Sequence, residues 1–287
     1  MSNRILVTGA SGTIGSTLVK LLSEAGANFE VLRSKGAATP GTRVASYEDV
    51  AALTEAFRGV DTLFLLFPLV ENKLQLAKNA AAAAKAAGVK HIVRSSGAGA
   101  DPASPFALPR LQGEIDAVIT ATGIPSTFIR PAGFMQNFAS FMAGQVQSGT
   151  VYAAQGANGG EAQSLIDARD IAAVAATILL DPAPHAGRAY TLTGGESLTT
   201  QQALDVIGAA AGHPVKYQPV RFEDAVAAMN GMGMPAWMVN LFDSLNRIVA
   251  AGYAAGISPD VETLLGRKPI SVAQFARDHA AAWKKAA

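Results

Sequence analysis

Apolar and amphipathic segments alternate along the first 130 residues of the chain. Short runs that are apolar at most positions predict buried strands, and longer runs with apolar residues three and four apart predict helices. The predicted strands are residues 4–8, 29–33, 43–46, 61–67, 90–96 and 126–131. The predicted helices between them are residues 13–25, 48–57, 72–88 and 110–122. This alternation predicts parallel strands with right-handed crossovers, and the apolar strands predict a sheet covered on both faces. The expected fold class is α/β, with a doubly wound parallel sheet.

The pattern changes after Pro131, where glycine, proline and methionine become frequent. The predicted helices there are residues 168–180, 199–211, 222–230, 235–252 and 271–285, and two short strands are predicted at 188–194 and 215–219. We therefore expect a first domain of residues 1–131 and a smaller, mostly helical region of residues 132–287. Within the second region, residues 163–194 are expected to pack back on the first sheet.

Composition excludes several classes of protein. Hydrophobic residues make up 49% of the 287 residues and charged residues 16%, which is enough apolar surface for a large core. The net charge of +1, without a basic block, argues against nucleic acid as a partner. The chain has no cysteine, and its four histidines lie far apart, so we expect no metal site. No apolar stretch reaches the roughly 18 residues of a membrane span, and the start lacks the pattern of a signal peptide. A cytoplasmic monomer or homodimer is expected.

A glycine-rich turn carries the clearest chemical signal. The segment "LVTGASGTIG" follows the first predicted strand and opens the first predicted helix. In this context the first glycine permits a tight turn, the second leaves room for a pyrophosphate, and the third allows close packing. The amides that begin the helix point at the ligand, and the helix dipole favours its negative charge. The predicted dinucleotide contacts are Gly9, Ser11, Gly12, Thr13, Ile14 and Gly15. A glycine-rich turn without a ligand is the alternative.

The end of the second predicted strand bears on the choice of cofactor. NAD-preferring sites usually place an acidic residue there, whereas this chain has Arg33, Ser34 and Lys35. Cationic side chains suit a 2′-phosphate, so the sequence favours NADP(H) over NAD(H). A solvated surface loop is the alternative. At the ends of later strands, Phe67 and Pro68 are expected to wall the cofactor, and Ser95 and Gly97 to lie beside its nicotinamide ribose. Core packing is the alternative for Phe67.

With its G-x-x-G-x-x-G spacing, the chain resembles the short-chain dehydrogenase/reductase superfamily, and most closely its atypical NmrA-like branch. The segments "ILVTGASGTIG", "AAGVKHIVRSSGAGAD", "GIPSTFIRPAGFMQNF" and "DARDIAAVAATIL" carry this resemblance over almost the whole chain. The resemblance implies a Rossmann-type fold and a nicotinamide cofactor. Relatives in that branch include quinone and triphenylmethane dye reductases, and also NADP-sensing regulators that do not turn over.

The usual catalytic dyad of that superfamily, Tyr-x-x-x-Lys, is missing. None of the five tyrosines is followed by lysine four residues later, and residues 105–118 contain neither residue type. Ser96 and Arg110 are the candidate catalytic residues. Ser96 could instead bond to the backbone, and Arg110 could form a solvated helix pair with Glu114.

The region after the sixth strand is rich in aromatic residues and methionine, which suits a flat apolar pocket. The predicted substrate contacts are Phe134, Met135, Asn137, Phe138, Met232 and Trp237, with plain core packing as the alternative for each apolar residue. These features predict an NADP(H)-dependent oxidoreductase that transfers hydride to a small conjugated acceptor, such as a quinone, cationic dye, iminium or enone. A non-catalytic protein that senses NADP(H) and regulates a protein partner is the alternative.

Overall fold

The computed structural model describes residues 3–284 and contains a seven-stranded sheet in the order β3-β2-β1-β4-β5-β6-β9. The strands of this sheet are β1 (Ile5–Thr8), β2 (Phe29–Arg33), β3 (Thr42–Val44), β4 (Thr62–Leu65), β5 (His91–Ser95), β6 (Ser126–Pro131) and β9 (Ala189–Leu192). The pairs from β3 through β6 are parallel. The expected doubly wound α/β fold is confirmed.

The strand order places a topological switch point between β1 and β4. From β1 the chain proceeds to β2 and β3 on one side, and from β4 it proceeds to β5 and β6 on the other. In open α/β sheets, ligands bind outside the carboxyl ends of the strands at such a point. The segments that follow β1 and β4 therefore border the expected ligand position.

The first helices are α1 (Thr13–Glu24), α2 (Val50–Phe57), α3 (Lys73–Ala87) and α4 (Ala107–Thr120). Apolar residues of α2, α3 and α4 share one buried cluster with alternate residues of the central strands, such as Leu6 and Leu63, so these helices cover one face of the sheet. Asp49 accepts a hydrogen bond from the Ala52 amide and so begins α2, and Gly88, at φ +73°, ends α3.

Smaller elements make up the rest of the chain. The helices are α5 (Gln136–Ala139), α6 (Ala143–Ser148), α7 (Ala168–Leu180), α8 (Thr200–Ala211), α9 (Phe222–Gly231), α10 (Ala236–Ala250), α11 (Asp260–Leu265) and α12 (Val272–His279). The strands are β7 (Thr150–Ala153), β8 (Ala162–Gln163), β10 (Leu198–Thr199) and β11 (Lys216–Pro219). β7 pairs in parallel with β11, and β8 pairs antiparallel with β10.

Two compact units divide the chain. The N-terminal unit comprises the described part of Met1–Pro105, Pro109–Pro131 and Ile171–Thr191. The C-terminal unit comprises Phe106–Leu108, Ala132–Asp170 and the described part of Leu192–Ala287. Of the segment 163–194, residues 171–191 thus belong to the N-terminal unit, and its two ends belong to the C-terminal unit.

Most predicted elements occur with small shifts of their ends. The helix predicted at 110–122 begins at Ala107, and the strand predicted at 61–67 is shorter, Thr62–Leu65. The helix predicted at 271–285 ends at His279 and continues as a 3₁₀ turn to Trp283; its last predicted residue, Lys285, lies outside the described residues. The sequence pattern missed the short elements α5, α6, α11, β7, β8 and β10. Within residues 3–284, no helix is both long and apolar enough to cross a membrane.

Candidate functional site

The glycine-rich turn joins β1 to α1 at the switch point. Gly9 has a φ of +67°, a conformation that favours glycine, and its carbonyl accepts a hydrogen bond from the Gly12 amide at 3.0 Å. The turn is fixed to the end of β4, because the Leu66 amide donates to Thr8 Oγ1 at 2.8 Å. The tight turn expected at Gly9 is therefore part of a fixed junction between β1 and β4.

The other two glycines of the turn differ in what surrounds them. A β-carbon on Gly15 would lie 2.0 Å from the Gly9 carbonyl oxygen, so the turn itself requires glycine there. A β-carbon on Gly12 would meet only that same oxygen, at 3.4 Å, and Gly12 is exposed with extended backbone at φ −82°. Packing within the protein therefore explains Gly15 but not Gly12, and the open space beside Gly12 fits a ligand placed against the backbone.

The start of α1 fits an anionic ligand. Gly12 is the N-cap, so no side chain accepts hydrogen bonds from the first amides of the helix, and the first turn carries no acidic residue. Ser11 and Thr13 are exposed, and Ile14 is buried. Uncapped amides at a helix N-terminus, together with the helix dipole, form a site for phosphate oxygens. The residues of this turn thus fit the pyrophosphate of a dinucleotide.

Arg33, Ser34 and Lys35 are exposed where β2 ends. Glu30, earlier in the same strand, is occupied by an ion pair with Arg43. In the part of the chain that the structure describes, neither Arg33 nor Lys35 has a carboxylate partner. These two cations are consequently available to an anionic group.

The residues predicted after β4 and β5 lie in different environments. Phe67 is buried in the core of the N-terminal unit and packs against the ring of Tyr47 at 5.2 Å, whereas Pro68 is exposed. Ser95 is buried and Gly97 is half-buried. The packing of Phe67 is the core role that the sequence left open.

Ser96 belongs to a buried polar network that the sequence did not predict. Its hydroxyl accepts a hydrogen bond from Arg94 Nη1 at 2.7 Å and donates one to Asp116 Oδ2 at 3.0 Å. Arg94 is fully buried and also bonds to Asp116 and Gln112, and Arg130 Nη2 donates to Asp116 at 3.0 Å. Burial lowers the pKa of Arg94 to about 10, an effect that Asp116 opposes. This network uses both hydrogen-bonding directions of the Ser96 hydroxyl.

Arg110 does not form the helix pair with Glu114 that the sequence left open. Its Nη1 donates to the carbonyl oxygens of Ser104 and Pro105, at 3.0 and 3.3 Å, rather than pairing with Glu114. Arg110 therefore stabilises the loop that precedes α4.

Lys73, the first residue of α3, is a buried cation. The residue is only 8% exposed, and within residues 3–284 its ammonium has no hydrogen bond or ion pair. Burial, and to a smaller extent the nearby positive charge of Arg94, lower the pKa of Lys73 to about 8. Burying most of a lysine side chain without a counter-charge is costly, which makes Lys73 a candidate for contact with a ligand.

The predicted substrate contacts divide between core and surface of the C-terminal unit. Met135 and Phe138 are buried in its core, and the Trp283 indole donates to the Phe138 carbonyl at 2.7 Å. This is the core role left open for each apolar residue. Phe134 and Trp237 are half-buried, and Asn137 and Met232 are exposed.

Comparisons with known proteins establish the family. Residues 1–268 match the model of the NmrA-like family. The chain belongs to this family. Its resemblance to the NmrA-like branch, expected from the glycine-rich turn and the later segments, is confirmed by this match.

Individual relatives of this NmrA-like chain include enzymes. An NAD(P)H azoreductase from Xenophilus azovorans is 38% identical over 286 residues, covering 97% of this chain and 99% of that protein. An NADPH-dependent quinone oxidoreductase from Escherichia coli, solved in complex with NADPH, is 26% identical with a TM-score of 0.84, covering 96% of this chain and 99% of the other. The Citrobacter sp. triphenylmethane reductase shares the fold, with a TM-score of 0.82 at 24% identity, covering 98% of this chain and 100% of the other.

Sequence reasoning missed two features of this family member's site. A charge within the apolar strand "HIVRSS" was a signal for the network around Arg94. A second signal was the position of Lys73 at the head of the buried stripe of α3, which continues through Leu76, Ala77 and Ala80. Helical spacing places Lys73 on the stripe, but only the packed structure shows that the residue is largely buried and that its ammonium has no hydrogen bond or ion pair within residues 3–284.

Proposed function

We propose that this chain is an NADP(H)-dependent oxidoreductase that transfers hydride to a small conjugated acceptor. The observation that carries the proposal is the open space beside Gly12, at an uncapped helix N-terminus bordering the switch point of the sheet. The 38% identical relative, an NAD(P)H azoreductase, supports the reaction class. When bound, the dinucleotide supplies the hydride.

The proposed cofactor contacts bind different parts of the dinucleotide. The turn from Gly9 to Gly15 holds the pyrophosphate through backbone amides, and Arg33, Ser34 and Lys35 hold the 2′-phosphate. Ser95, Gly97 and Pro68 contact the nicotinamide half. Arg33 and Lys35, which have no carboxylate partner within residues 3–284, support a preference for NADP(H), because a guanidinium and an ammonium suit a dianionic phosphate.

The acceptor is proposed to be a flat conjugated molecule such as a quinone, cationic dye, iminium or enone. In the C-terminal unit, Phe134, Asn137, Met232 and Trp237 retain side-chain surface and are the proposed acceptor contacts. Met135 and Phe138 would support them from the core. Ser96 and Arg110 are proposed to act by holding the segments on which they lie, since the Ser96 hydroxyl and Arg110 Nη1 already have partners.

A non-catalytic NADP(H)-sensing protein is the second candidate. It is favoured by the absence of Tyr-x-x-x-Lys from the sequence and by the occupied hydroxyl of Ser96. A sensor that regulates a protein partner needs the cofactor contacts but no acceptor chemistry, so turnover of an acceptor distinguishes the two candidates.

The deciding experiment is a screen for acceptor-dependent NADPH oxidation. Purified protein is assayed with quinones, triphenylmethane dyes, azo dyes, enones and imines, and cofactor affinity is measured by calorimetry. We expect turnover of at least one acceptor. Tight NADPH binding with no turnover in the whole screen would favour the sensor.

A further inference from the structure

We propose that Lys73 is the proton donor of the reductase, delivering a proton to the acceptor oxygen or nitrogen that becomes basic as hydride arrives. This inference rests on the proposed function and names the acid that the missing Tyr-x-x-x-Lys motif leaves unassigned. It concerns acceptors that need a proton, such as quinones and enones.

The position of Lys73 follows from the topology of the sheet. β4 is the neighbour of β1 at the switch point, and α3 begins shortly after β4 ends. The end of β4 also contacts the glycine-rich turn directly, since a β-carbon on Gly9 would lie 2.9 Å from Leu66 Cδ2. The first residue of α3 therefore lies at the edge of the N-terminal unit where ligands of such sheets bind.

Within residues 3–284, the Lys73 ammonium has no hydrogen bond or ion pair, although its side chain is largely buried. The charged group that acts on it is Arg94 of β5. Arg94 is itself paired with Asp116 of α4, which also pairs with Arg130 of β6. Asp116 already pairs with these two arginines, so the Lys73 ammonium, which has no partner within residues 3–284, is free to donate to a bound molecule.

The acidity of Lys73 suits proton donation near neutral pH. Burial and Arg94 bring its pKa to about 8, and a general acid works best when its pKa is near the working pH. Tyr47 is another titratable side chain near this edge, with its hydroxyl 3.4 Å from the Leu66 carbonyl oxygen. Burial raises the pKa of Tyr47, so the phenol holds its proton more strongly than Lys73 does.

The proposed step balances for a quinone. Hydride brings two electrons and one hydrogen to the acceptor, leaving an anionic oxygen. The Lys73 N–H bond breaks and an O–H bond forms, giving the hydroquinone and a neutral amine. The amine then takes a proton from solvent. A triphenylmethane cation needs no such step, because hydride addition at its central carbon gives a neutral product.

This difference provides the test. Lys73→Met and Lys73→Arg are assayed with menadione and with malachite green, beside Lys78→Met, which changes an exposed lysine of the same helix. We expect both Lys73 variants to lose about 10²-fold or more in menadione turnover, within the usual range for a general acid. Malachite green turnover and NADPH affinity by calorimetry should stay within about threefold, as should all activities of Lys78→Met.

The pH dependence gives a second readout. Menadione turnover by the wild type should fall above about pH 8, where Lys73 loses its proton, and this fall should be absent in Lys73→Met. If the protein turns over menadione but not malachite green, the pH profiles of the wild type and Lys73→Met decide whether Lys73 is the proton donor. Independently of activity, NMR of lysine-labelled protein without cofactor should show one side chain titrating near pH 8 that is missing from Lys73→Met.

Several results would overturn the assignment. Equal losses with both acceptors would make Lys73 a structural or cofactor-binding residue, and unchanged menadione turnover in Lys73→Met would remove it from the reaction. Either outcome leaves the proposed reductase activity intact. If none of the acceptors supports NADPH oxidation by the wild-type protein, the proposed function itself is contradicted. The role of Lys73 is then contradicted as well.

Discussion

At the scale of single residues, burial determines which charges can have chemical consequences. Arg94 and Lys73 are both cations in the interior of the N-terminal unit, but only Arg94 has a carboxylate partner. A buried charge with a counter-charge organises its neighbours, whereas one without a partner destabilises the fold until a ligand pairs with it. Lys73 is therefore expected to reduce the stability of the free protein.

This cost can be measured from its pH dependence. The folded pKa of Lys73, about 8, is below its unfolded value of 10.5, so the charged form is penalised by folding and stability should rise between pH 8 and pH 10.5. At pH 7, the free energy of unfolding of Lys73→Met should be roughly 2–3 kcal/mol larger than that of the wild type. This difference in stability should become smaller as the pH approaches 10.5. Urea unfolding at both pH values tests this. A gap that is unchanged with pH would show that packing of the methionine, and not the charge, is responsible.

Arg33 bears on the choice of cofactor. It is exposed at the end of β2 and has no carboxylate partner among the described residues, so it can hold a 2′-phosphate. Arg33→Asp should weaken NADPH binding by about 10- to 150-fold, the value of a charge-assisted contact of roughly 1.5–3 kcal/mol, and change NADH binding little. Lys35→Asp, which alters a more flexible cation, should have a smaller effect. Calorimetry with both cofactors measures this. Equal losses for NADH and NADPH would rule out the phosphate contact.

At the scale of elements, the glycine-rich turn combines two requirements in one short segment. Gly9 and Gly15 are needed by the turn itself, and Gly12 faces open space. Because a local motif places all three, the sequence could anticipate the turn without any knowledge of the fold.

Matched substitutions separate these two requirements. Gly12→Val should fold with nearly unchanged thermal stability and lose measurable dinucleotide binding, because its side chain enters the space of the pyrophosphate. Gly15→Ala should instead destabilise the protein by about 1–3 kcal/mol, since its β-carbon would lie 2.0 Å from the Gly9 carbonyl oxygen. Calorimetry and thermal unfolding give both quantities. Wild-type affinity in a folded Gly12→Val protein would show that the turn binds no pyrophosphate.

At the scale of the whole molecule, the chain consists of two units, each with its own core. In the C-terminal unit, buried Asp167 accepts hydrogen bonds from Gln136 and Arg169, and Arg169 also pairs with Asp278 of α12. These bonds join segments that are far apart in the sequence, so the ionisation of one carboxylate affects the stability of this unit.

Asp167 should make that stability sensitive to acid. Burial favours its neutral form, but hydrogen bonds from Arg169 and Gln136 outweigh this effect and lower its pKa below the ordinary value of 3.8. A lowered folded pKa contributes stability that is present above pH 4 and is lost as the pH falls towards the folded pKa. Urea unfolding followed at pH 5 and pH 3 should show a steeper loss for the wild type than for Asp167→Asn, which is less stable at pH 5. Parallel losses in the two proteins would assign the acid sensitivity to other groups.

The sequence by itself determined the elements and the main motif of this protein. Periodicity predicts the strands of the large sheet and the helices α1 to α4, because spacing along the chain decides which residues face a sheet or a helix partner. The alternation of these strands and helices predicts that the strands are parallel. The strand–turn–helix context of the three glycines is equally local. Short elements such as α5 and β8 escaped prediction, since so few residues show no periodicity.

Only the tertiary structure decided which side chains remain available for chemistry. Ser96 is bound to Arg94 and Asp116, and Met135 and Phe138 lie in the core. Lys73 is a largely buried cation that has no partner among the described residues. Local spacing cannot reveal this, because Asp116 lies 20 residues beyond Ser96 and the two meet only when α4 packs on the sheet. Burial and pairing depend on the neighbours that long-range packing supplies, and these set the pKa and accessibility of every group in the site.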